Sequence, residues 1–163
     1  MKPVTPRNAF SRILLFLAVI AAGSVTVWSQ SATQSANSVI GTWKGESICV
    51  GNSRPACKNE VVVYRFERVA GKSGTVLMLA DKIVNGKREA MGKLDCQYNE
   101  GKGEVACEFT INQTHGLWAF KLNGTKLDGT LVLLPGRELV RNASALPAKD
   151  SDLPPAPARS EYD

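Results

Sequence analysis

The sequence has few of the residues that metal sites and catalytic sites use most often. It holds a single histidine, His115, and it has no CxxC, HExxH or GxSxG motif and no glycine-rich phosphate loop. A zinc site needs three or four clustered histidine, cysteine or carboxylate ligands, and a catalytic triad needs a histidine between a nucleophile and an orienting group. We therefore predict no enzyme, no catalytic residue, no metal ligand and no cofactor, and we interpret His115 as a loop residue.

The sequence also lacks an apolar run long enough to span a bilayer comfortably. The longest run, from Ile13 to Trp28, is shorter than the roughly 20 residues that a membrane helix needs. It follows a start with three basic residues and no acidic one, and small polar residues come after it. This order is typical of a secretory signal peptide. We predict a signal peptide over residues 1–29 and a linker over 30–37, with an uncleaved membrane anchor as the alternative.

A strongly basic body is missing as well. The formal net charge is +5, but the predicted signal peptide contributes three of these charges. Residues 38–142 contain 15 basic and 11 acidic residues, and residues 143–163 carry a net charge of −2. Nucleic-acid-binding domains usually present a clustered basic patch, which this body does not have. We therefore expect an exported protein, periplasmic or secreted, with no nucleic-acid partner and no stable membrane span after cleavage.

Four cysteines in an exported chain of this size predict two disulfides. Three pairings are open from the number of cysteines alone. Cys49 and Cys57 flank "VGNSRPA", which is rich in loop residues, and Cys96 and Cys107 flank "QYNEGKGEVA", which contains a turn. The spacing therefore favours Cys49–Cys57 and Cys96–Cys107.

Short alternating segments with turn signals between them run from Val39 to Arg141, and no helical periodicity is visible. Eight hairpin-linked strands leave two exposed edges unless the sheet closes. We predict an all-β, antiparallel, up-and-down eight-stranded barrel over residues 38–142, with a flattened sandwich as the alternative. The predicted strands are 40–50, 60–69, 75–84, 87–98, 104–112, 116–122, 125–134 and 137–142. Residues 143–163, rich in proline, alanine and charge, are predicted to form a disordered tail.

The turns predict which residues face each other across each hairpin. Asn-Gly at 85–86 and at 123–124 is favoured in type I′ turns, and "NEGKG" marks a third turn. The third turn places Cys96 opposite Cys107, in agreement with the disulfide predicted from spacing. The other predicted pairs are Tyr98–Val105, Leu94–Phe109, Asp81–Ala90, Ile83–Arg88, Phe120–Leu127 and Trp118–Gly129.

The segment "GTWKGES" at 41–47 resembles the Gly-x-Trp signature that opens lipocalin-like, or calycin-type, barrels, and more weakly the start of avidin-type barrels. The segments "CKNEVVVYR", "DKIVNGK" and "MGKLDC" resemble those of small exported bacterial proteins, and that resemblance implies no activity. In lipocalins the first-strand tryptophan closes one end of the barrel beneath a basic residue from the end of the last strand. The resemblance therefore implies that Arg141 or Arg137 covers Trp43; a plain core tryptophan is the alternative.

The interior of an eight-stranded barrel is either filled by side chains or holds one small ligand. The predicted register places Asp81 and Arg88 on one face, where an interior pair would orient a ligand. The alternatives are a rim salt bridge near an open end, or a β-bulge that reverses the face, for which the out-of-phase Met91 is a candidate. We expect a protein that binds a small, largely apolar ligand. The alternative is a filled barrel that acts as a protein-interaction or inhibitor module through loops such as "CVGNSRPAC". The candidate ligand-binding residues are Trp43, Asp81, Arg88, Trp118 and Arg141.

Overall fold

A computed structural model describes residues 38–51 and 54–163. These residues belong to the second of the two units into which the chain divides, Thr33–Asp163. The predicted signal peptide (1–29) and linker (30–37) lie outside the described residues. No helical turn within the described residues is long and apolar enough to cross a membrane.

Eight antiparallel strands form a closed up-and-down barrel, as predicted. Each strand pairs with the next along the chain, and the last pairs with the first. The strands are β1 (Gly41–Cys49), β2 (Glu60–Arg68), β3 (Thr75–Val84), β4 (Lys87–Asn99), β5 (Glu104–Ile111), β6 (Thr114–Asn123), β7 (Lys126–Leu134) and β8 (Glu138–Pro147). Short 3₁₀ turns occur at Glu100–Lys102, Asp150–Asp152 and Arg159–Tyr162.

Aromatic side chains fill the middle of the barrel. The Phe120 ring stacks on Trp118 with centroids 5.4 Å apart and planes inclined by 12°. Tyr64 and Phe66 meet Phe120 edge-on at 5.1 and 5.4 Å. Edge-to-face and offset-stacked rings are the favoured aromatic geometries, and each pair stabilises the core beyond its burial alone. The barrel axis is therefore occupied by side chains at this level.

Two of the three predicted hairpin registers are confirmed. Asn85 and Gly86 both have positive φ, as a type I′ turn requires, and Asp81 faces Ala90 while Ile83 faces Arg88. A β-bulge in this ladder makes Met91 an extra residue on β4. The β4–β5 turn places Tyr98 opposite Val105 and joins Cys96 to Cys107.

The predicted register of β6 and β7 is wrong. Each β6 residue faces the β7 residue two positions beyond its predicted partner, because the turn lies one residue further along the chain. Asn123 pairs with Lys126, so the turn consists of Gly124 and Thr125 rather than Asn123 and Gly124. Asn123 stays in the strand because its amide donates to Asp128 Oδ2 at 2.9 Å. Phe120 rather than Trp118 therefore lies across from Gly129, where a Cβ atom would stand 2.7 Å from the ring.

The ladder between β4 and β5 is short. It contains three residue pairs, Gln97–Ala106 to Asn99–Glu104, whereas every other ladder in the barrel contains at least seven. The Cys96–Cys107 disulfide lies directly beyond its last pair. The predicted pairing of Leu94 with Phe109 is not part of the ladder. We call this junction the seam.

The two ends of the barrel differ. At one end, the plugged end, Trp43 is buried and its indole N–H donates to the Val39 carbonyl oxygen at 2.7 Å. The other end, the mouth, carries the β1–β2 loop closed by the Cys49–Cys57 disulfide and the three short turns that follow β3, β5 and β7.

The predicted disordered tail is wrong for the described residues. β8 continues to Pro147, because Ala143, Ala145 and Pro147 all pair with β1. Residues 148–163, which we call the strap, then lie along the outer face of β1–β4. Thr42, Glu67, Asp81 and Lys93, one residue from each of these four strands, contact the strap. The proline-rich composition that suggested disorder instead forms an extended connection between two anchored ends.

Candidate functional site

The structure separates the five candidate residues into three places. Trp43 lies at the plugged end, Trp118 and Arg141 lie at the mouth, and Asp81 with Arg88 lies on the outer face beneath the strap. Only Trp118 and Arg141 are therefore brought together inside the barrel.

Trp43 and Arg141 do not form the contact that the lipocalin resemblance implied. Trp43 faces Pro147 across the β1–β8 ladder, and Arg141 faces Cys49. Six residues along a strand correspond to about 20 Å. The prediction ended β8 at residue 142, which would have put Arg141 at the wrong end of the barrel. Arg137 lies in the β7–β8 turn at the mouth and does not reach Trp43 either.

Asp81 and Arg88 form an ion pair, but not in the interior. Both side chains are 1% exposed, and Arg88 Nε donates to Asp81 Oδ2 at 2.8 Å. Asp81 faces Val63 across the β2–β3 ladder, whereas Val62 and Tyr64 on either side of Val63 belong to the barrel core. Side chains alternate along a strand, so Val63 and Asp81 point outward.

The strap completes the partners of this outer ion pair. The Tyr162 hydroxyl donates to Asp81 Oδ1, and Asp150 Oδ1 lies 3.5 Å from Arg88 Nη1. Burial, together with the nearby Asp81 carboxylate, raises the pKa of Tyr162 to about 12. The pair therefore fastens the strap to the barrel, and no ligand-binding role in a cavity follows from it.

Inward-facing apolar side chains at the mouth are incompletely covered. They lie two or four residues beyond buried core positions on the same strands, and each is only half-buried. The Phe109 ring occupies the space where a side chain at Gly116 would stand, so it lies flat against the inner wall. The five side chains of this apolar wall are Leu94, Phe109, Trp118, Leu131 and Leu133.

A polar cluster stands beside this apolar wall. Arg141 Nη1 lies 2.9 Å from Glu60 Oε2 and donates to Ser47 Oγ at 2.8 Å. Arg141 Nη2 donates to the Lys58 carbonyl oxygen at 2.7 Å. The ion pair is partly exposed, at 15% for Arg141 and 26% for Glu60, whereas Ser47 is buried.

Tyr64 is the functional candidate that sequence reasoning missed. Its side chain is buried, 6.1 Å from the Trp118 ring, and its hydroxyl has no hydrogen-bond partner among the described residues. Burial raises the pKa of Tyr64 to about 12, against a smaller lowering by the nearby Ser47 hydroxyl and by the Arg141 charge, and the Glu60 charge adds a small increase. The signal was present in "VVVYR", because a tyrosine at a core position of a strand needs a partner for its hydroxyl.

Histidine, cysteine and acidic side chains do not gather into one cluster in the described part of the chain. Residues 38–51 and 54–163 contain no group of three or more histidine, cysteine or acidic side chains that could hold a metal ion. All four cysteines are in the two predicted disulfides. His115 is exposed at the start of β6, with its Nε2 3.6 Å from Glu108 Oε2.

Two depressions lie along the barrel wall. One of about 1090 Å³ crosses β4–β7, and one of about 550 Å³ crosses β7, β8 and β1. Outward-facing residues such as Ala119 and Ser144 contribute much of their lining. Neither of these two depressions includes Trp118 or Arg141.

The chain matches no protein-family model and no curated protein sequence. Its eight-stranded antiparallel barrel is consistent with a lipocalin-like fold. The geometry of the barrel and its mouth therefore carries the functional argument.

Proposed function

We propose that this protein binds a small, largely apolar molecule in the mouth of its barrel. The observation that carries the proposal is the apolar wall: five inward-facing side chains that solvent reaches at one end only. Burial of such surface under a ligand is favourable by about 25 cal/mol per Å² of apolar area. Small-ligand sites typically combine an apolar lining with a few polar groups, which Arg141, Glu60 and Ser47 supply here.

The filled interior limits what the protein binds. Phe120, Tyr64 and Trp118 form a floor that a ligand meets shortly below the rim. The ligand therefore lies against Trp118 and Leu131, and it does not reach Trp43. Trp43 serves as part of the plug. We place this activity outside the cytoplasm, in the periplasm or the secreted fraction, because two disulfides are typical of exported proteins and the leader resembles a signal peptide.

A pair of identical substitutions tests the proposal. Naphthalene is the probe, and binding is followed through the indole N–H signals of Trp118 and Trp43 in NMR spectra. We expect naphthalene to shift the Trp118 signal and leave the Trp43 signal in place. Leu131→Lys, in the apolar wall, should weaken binding at least about tenfold. Leu146→Lys, at an exposed outer position, is the matched control and should bind as the unaltered protein does.

Other results would contradict this function. Equal binding by Leu131→Lys and Leu146→Lys would move the site out of the mouth. A shift at Trp43 alone would mean that the barrel opens at its plugged end. No response at either tryptophan would remove the small-ligand proposal.

A second candidate, a protein-interaction or inhibitor module, draws on a different observation. Large apolar side chains are exposed on the outside near the mouth, around the loop that the Cys49–Cys57 disulfide closes. Native mass spectrometry of protein purified from its own host separates the two candidates. A stoichiometric protein partner favours this module, and a bound small molecule favours the first proposal. The exposed side chains are Ile48, Val61 and Leu139.

A further inference from the structure

We infer that the ligand is an uncharged ring compound with one hydrogen-bond-accepting oxygen, and that the Tyr64 hydroxyl binds this oxygen. The inference rests on the proposed function, since it names the class of molecule that the mouth takes. It concerns a residue outside the set that the sequence indicated.

The first step is the unpartnered hydroxyl. Tyr64 is 2% exposed, and its hydroxyl oxygen makes no hydrogen bond of normal geometry in the described part of the chain, although the Ser47 hydroxyl is close enough to lower its pKa. A buried polar group without a good partner destabilises a protein by about 1–3 kcal/mol, so such groups are rarely left unsatisfied. This hydroxyl lies near Ser47, Arg141 and Glu60, which are three of the polar groups of the mouth. A ligand oxygen that reaches the floor of the mouth would satisfy it.

Tyr64 is the donor in the proposed hydrogen bond. A tyrosine with its ordinary pKa near 10 is already protonated throughout the physiological range, and burial raises the pKa of Tyr64 further, to about 12. The hydroxyl therefore always carries a proton to donate, and an acceptor on the ligand complements it. A ketone, ester, ether or hydroxyl oxygen meets this requirement.

The Arg141–Glu60 pair favours an uncharged ligand. Arg141 already has Glu60 at 2.9 Å, so the cluster has no net charge. An anionic ligand would have to compete with Glu60, and a cationic ligand would have to compete with Arg141. Either charged ligand would also lose hydration on entering the mouth. An uncharged ligand avoids both costs.

The aromatic rings of the floor favour a flat ligand. Tyr64, Phe120 and Trp118 lie in sequence along the floor, with centroid separations of 5.1 and 5.4 Å between neighbours. Aromatic surfaces favour stacked or edge-on contact with another ring. A flat ring placed against Trp118 would hold its oxygen toward Tyr64, because these two rings are 6.1 Å apart. Shape and hydrogen bonding thus select the same class of molecule.

Three matched probes test the inference on the disulfide-bonded protein: methyl naphthyl ketone, ethylnaphthalene and naphthoate. We expect the ketone to bind about tenfold more tightly than the hydrocarbon, the ratio that one net hydrogen bond supplies. We expect naphthoate to bind more weakly than the ketone. Tyr64→Phe should abolish the preference for the ketone and leave the affinity for ethylnaphthalene nearly unchanged.

Tyr98→Phe is the matched control. Tyr98 is also buried, its hydroxyl also lacks a partner within residues 38–51 and 54–163, and it contacts Arg68 away from the mouth. We expect this variant to keep the ketone preference. A preference lost equally in both variants would mean a general loss of packing and would overturn the role of Tyr64.

The outcomes separate the two proposals. Equal affinity for ketone and hydrocarbon, with both shifting Trp118, overturns this inference and leaves the proposed function standing; the hydroxyl then holds water only. A ketone preference that survives Tyr64→Phe overturns the assignment of the oxygen to Tyr64. Failure of all three probes to bind overturns both proposals.

Discussion

Two arginine–carboxylate pairs occupy very different surroundings in this barrel. Arg88 and Asp81 lie on the outer face under the strap, and each side chain is 1% exposed. Arg141 and Glu60 lie in the mouth and retain 15% and 26% of their exposure. The first pair is enclosed by further partners from the strap, whereas the second stands beside the Tyr64 hydroxyl, which makes no hydrogen bond of normal geometry within the described residues. The same chemistry therefore fastens the strap in one region and, under the function proposed above, would orient a ligand in the other.

Burial explains the difference. Removing two charges from water is costly, and their attraction offsets that cost only when further hydrogen bonds satisfy the remaining groups. Tyr162 and Asp150 provide such bonds to the outer pair. The mouth pair keeps part of its hydration and needs fewer protein partners. Under the proposed function, the Tyr64 hydroxyl beside this pair can therefore serve as a hydrogen-bond donor to the ligand.

The largest expected effect comes from breaking each pair in turn. Asp81→Ala leaves Arg88 buried without its carboxylate and should lower the free energy of unfolding by about 3–5 kcal/mol. Glu60→Ala should cost about 1 kcal/mol or less, because solvent reaches Arg141. Urea unfolding of both variants measures the difference.

A double substitution sharpens this first prediction. Asp81→Leu combined with Arg88→Met removes both charges, and it should cost less than Asp81→Ala alone. Equal losses for Asp81→Ala and Glu60→Ala would show that burial under the strap does not distinguish the two pairs.

The next effect is a loss of stability at alkaline pH, with one tyrosine in each region. In the unfolded chain tyrosine loses its proton near pH 10, whereas Tyr64 and Tyr162 hold theirs to about pH 12 in the folded protein. The unfolded chain therefore binds fewer protons over this window, and the free energy of unfolding falls as pH rises. The fall should amount to about 2–3 kcal/mol for Tyr64 between about pH 10 and about pH 12, and to less for Tyr162, whose surroundings solvent screens in part.

Phenylalanine variants assign this loss to its two sources. Tyr64→Phe and Tyr162→Phe should each remove one share of the alkaline decrease, measured by urea unfolding at a series of pH values. A decrease that is the same in both variants and in the unaltered protein would contradict the assignment.

The smallest expected effect is the response to salt. Raising the ionic strength from about 0.1 M to about 1 M shortens the Debye length from about 10 Å to about 3 Å. The cost of Glu60→Ala should shrink by a few tenths of a kcal/mol, because the mouth pair is open to ions. The cost of Asp81→Ala should stay constant within error. Unfolding curves at both salt concentrations test this, and a stronger salt effect on Asp81→Ala would mean that ions reach the outer pair.

The sequence allowed most of the barrel to be predicted, because its signals are local. Strand alternation and the Asn85-Gly86 turn depend on neighbouring residues, and the predicted bounds of β1 to β7 agree with the structure to within two residues, whereas β8 extends five residues beyond its predicted end. The Cys96–Cys107 bond was predicted from spacing and from register, which are two separate local observations. The β6–β7 turn failed because Asn123 forms a side-chain hydrogen bond that competes with its place in the turn.

The site was harder to predict, because it depends on contacts between distant parts of the chain. Strap residues such as Tyr162 have little apolar character around them in sequence, and their partners lie some 80 positions away. Without the strap, the sequence leaves an interior, a rim and a reversed position open for Asp81, and nothing in it indicates what would bury an outward-facing carboxylate. The position of Arg141 depended on where β8 ends, and strand ends are the least certain part of a sequence-based prediction. The free hydroxyl of Tyr64 appears only when its surroundings are counted in three dimensions.

The seam makes closure of the barrel depend on the oxidation of two cysteines. Three ladder pairs and the Cys96–Cys107 bond close the circle of strands between β4 and β5. A reduced chain would hold this junction by three pairs alone, and separated β4 and β5 edges would be free to pair with strands of other molecules. Formation of the Cys96–Cys107 disulfide thus converts a sheet with two exposed strand edges into a closed barrel with none. If the protein is exported, as proposed, this bond forms only after the chain leaves the cytoplasm, and until then the β4 and β5 edges can pair with neighbouring chains.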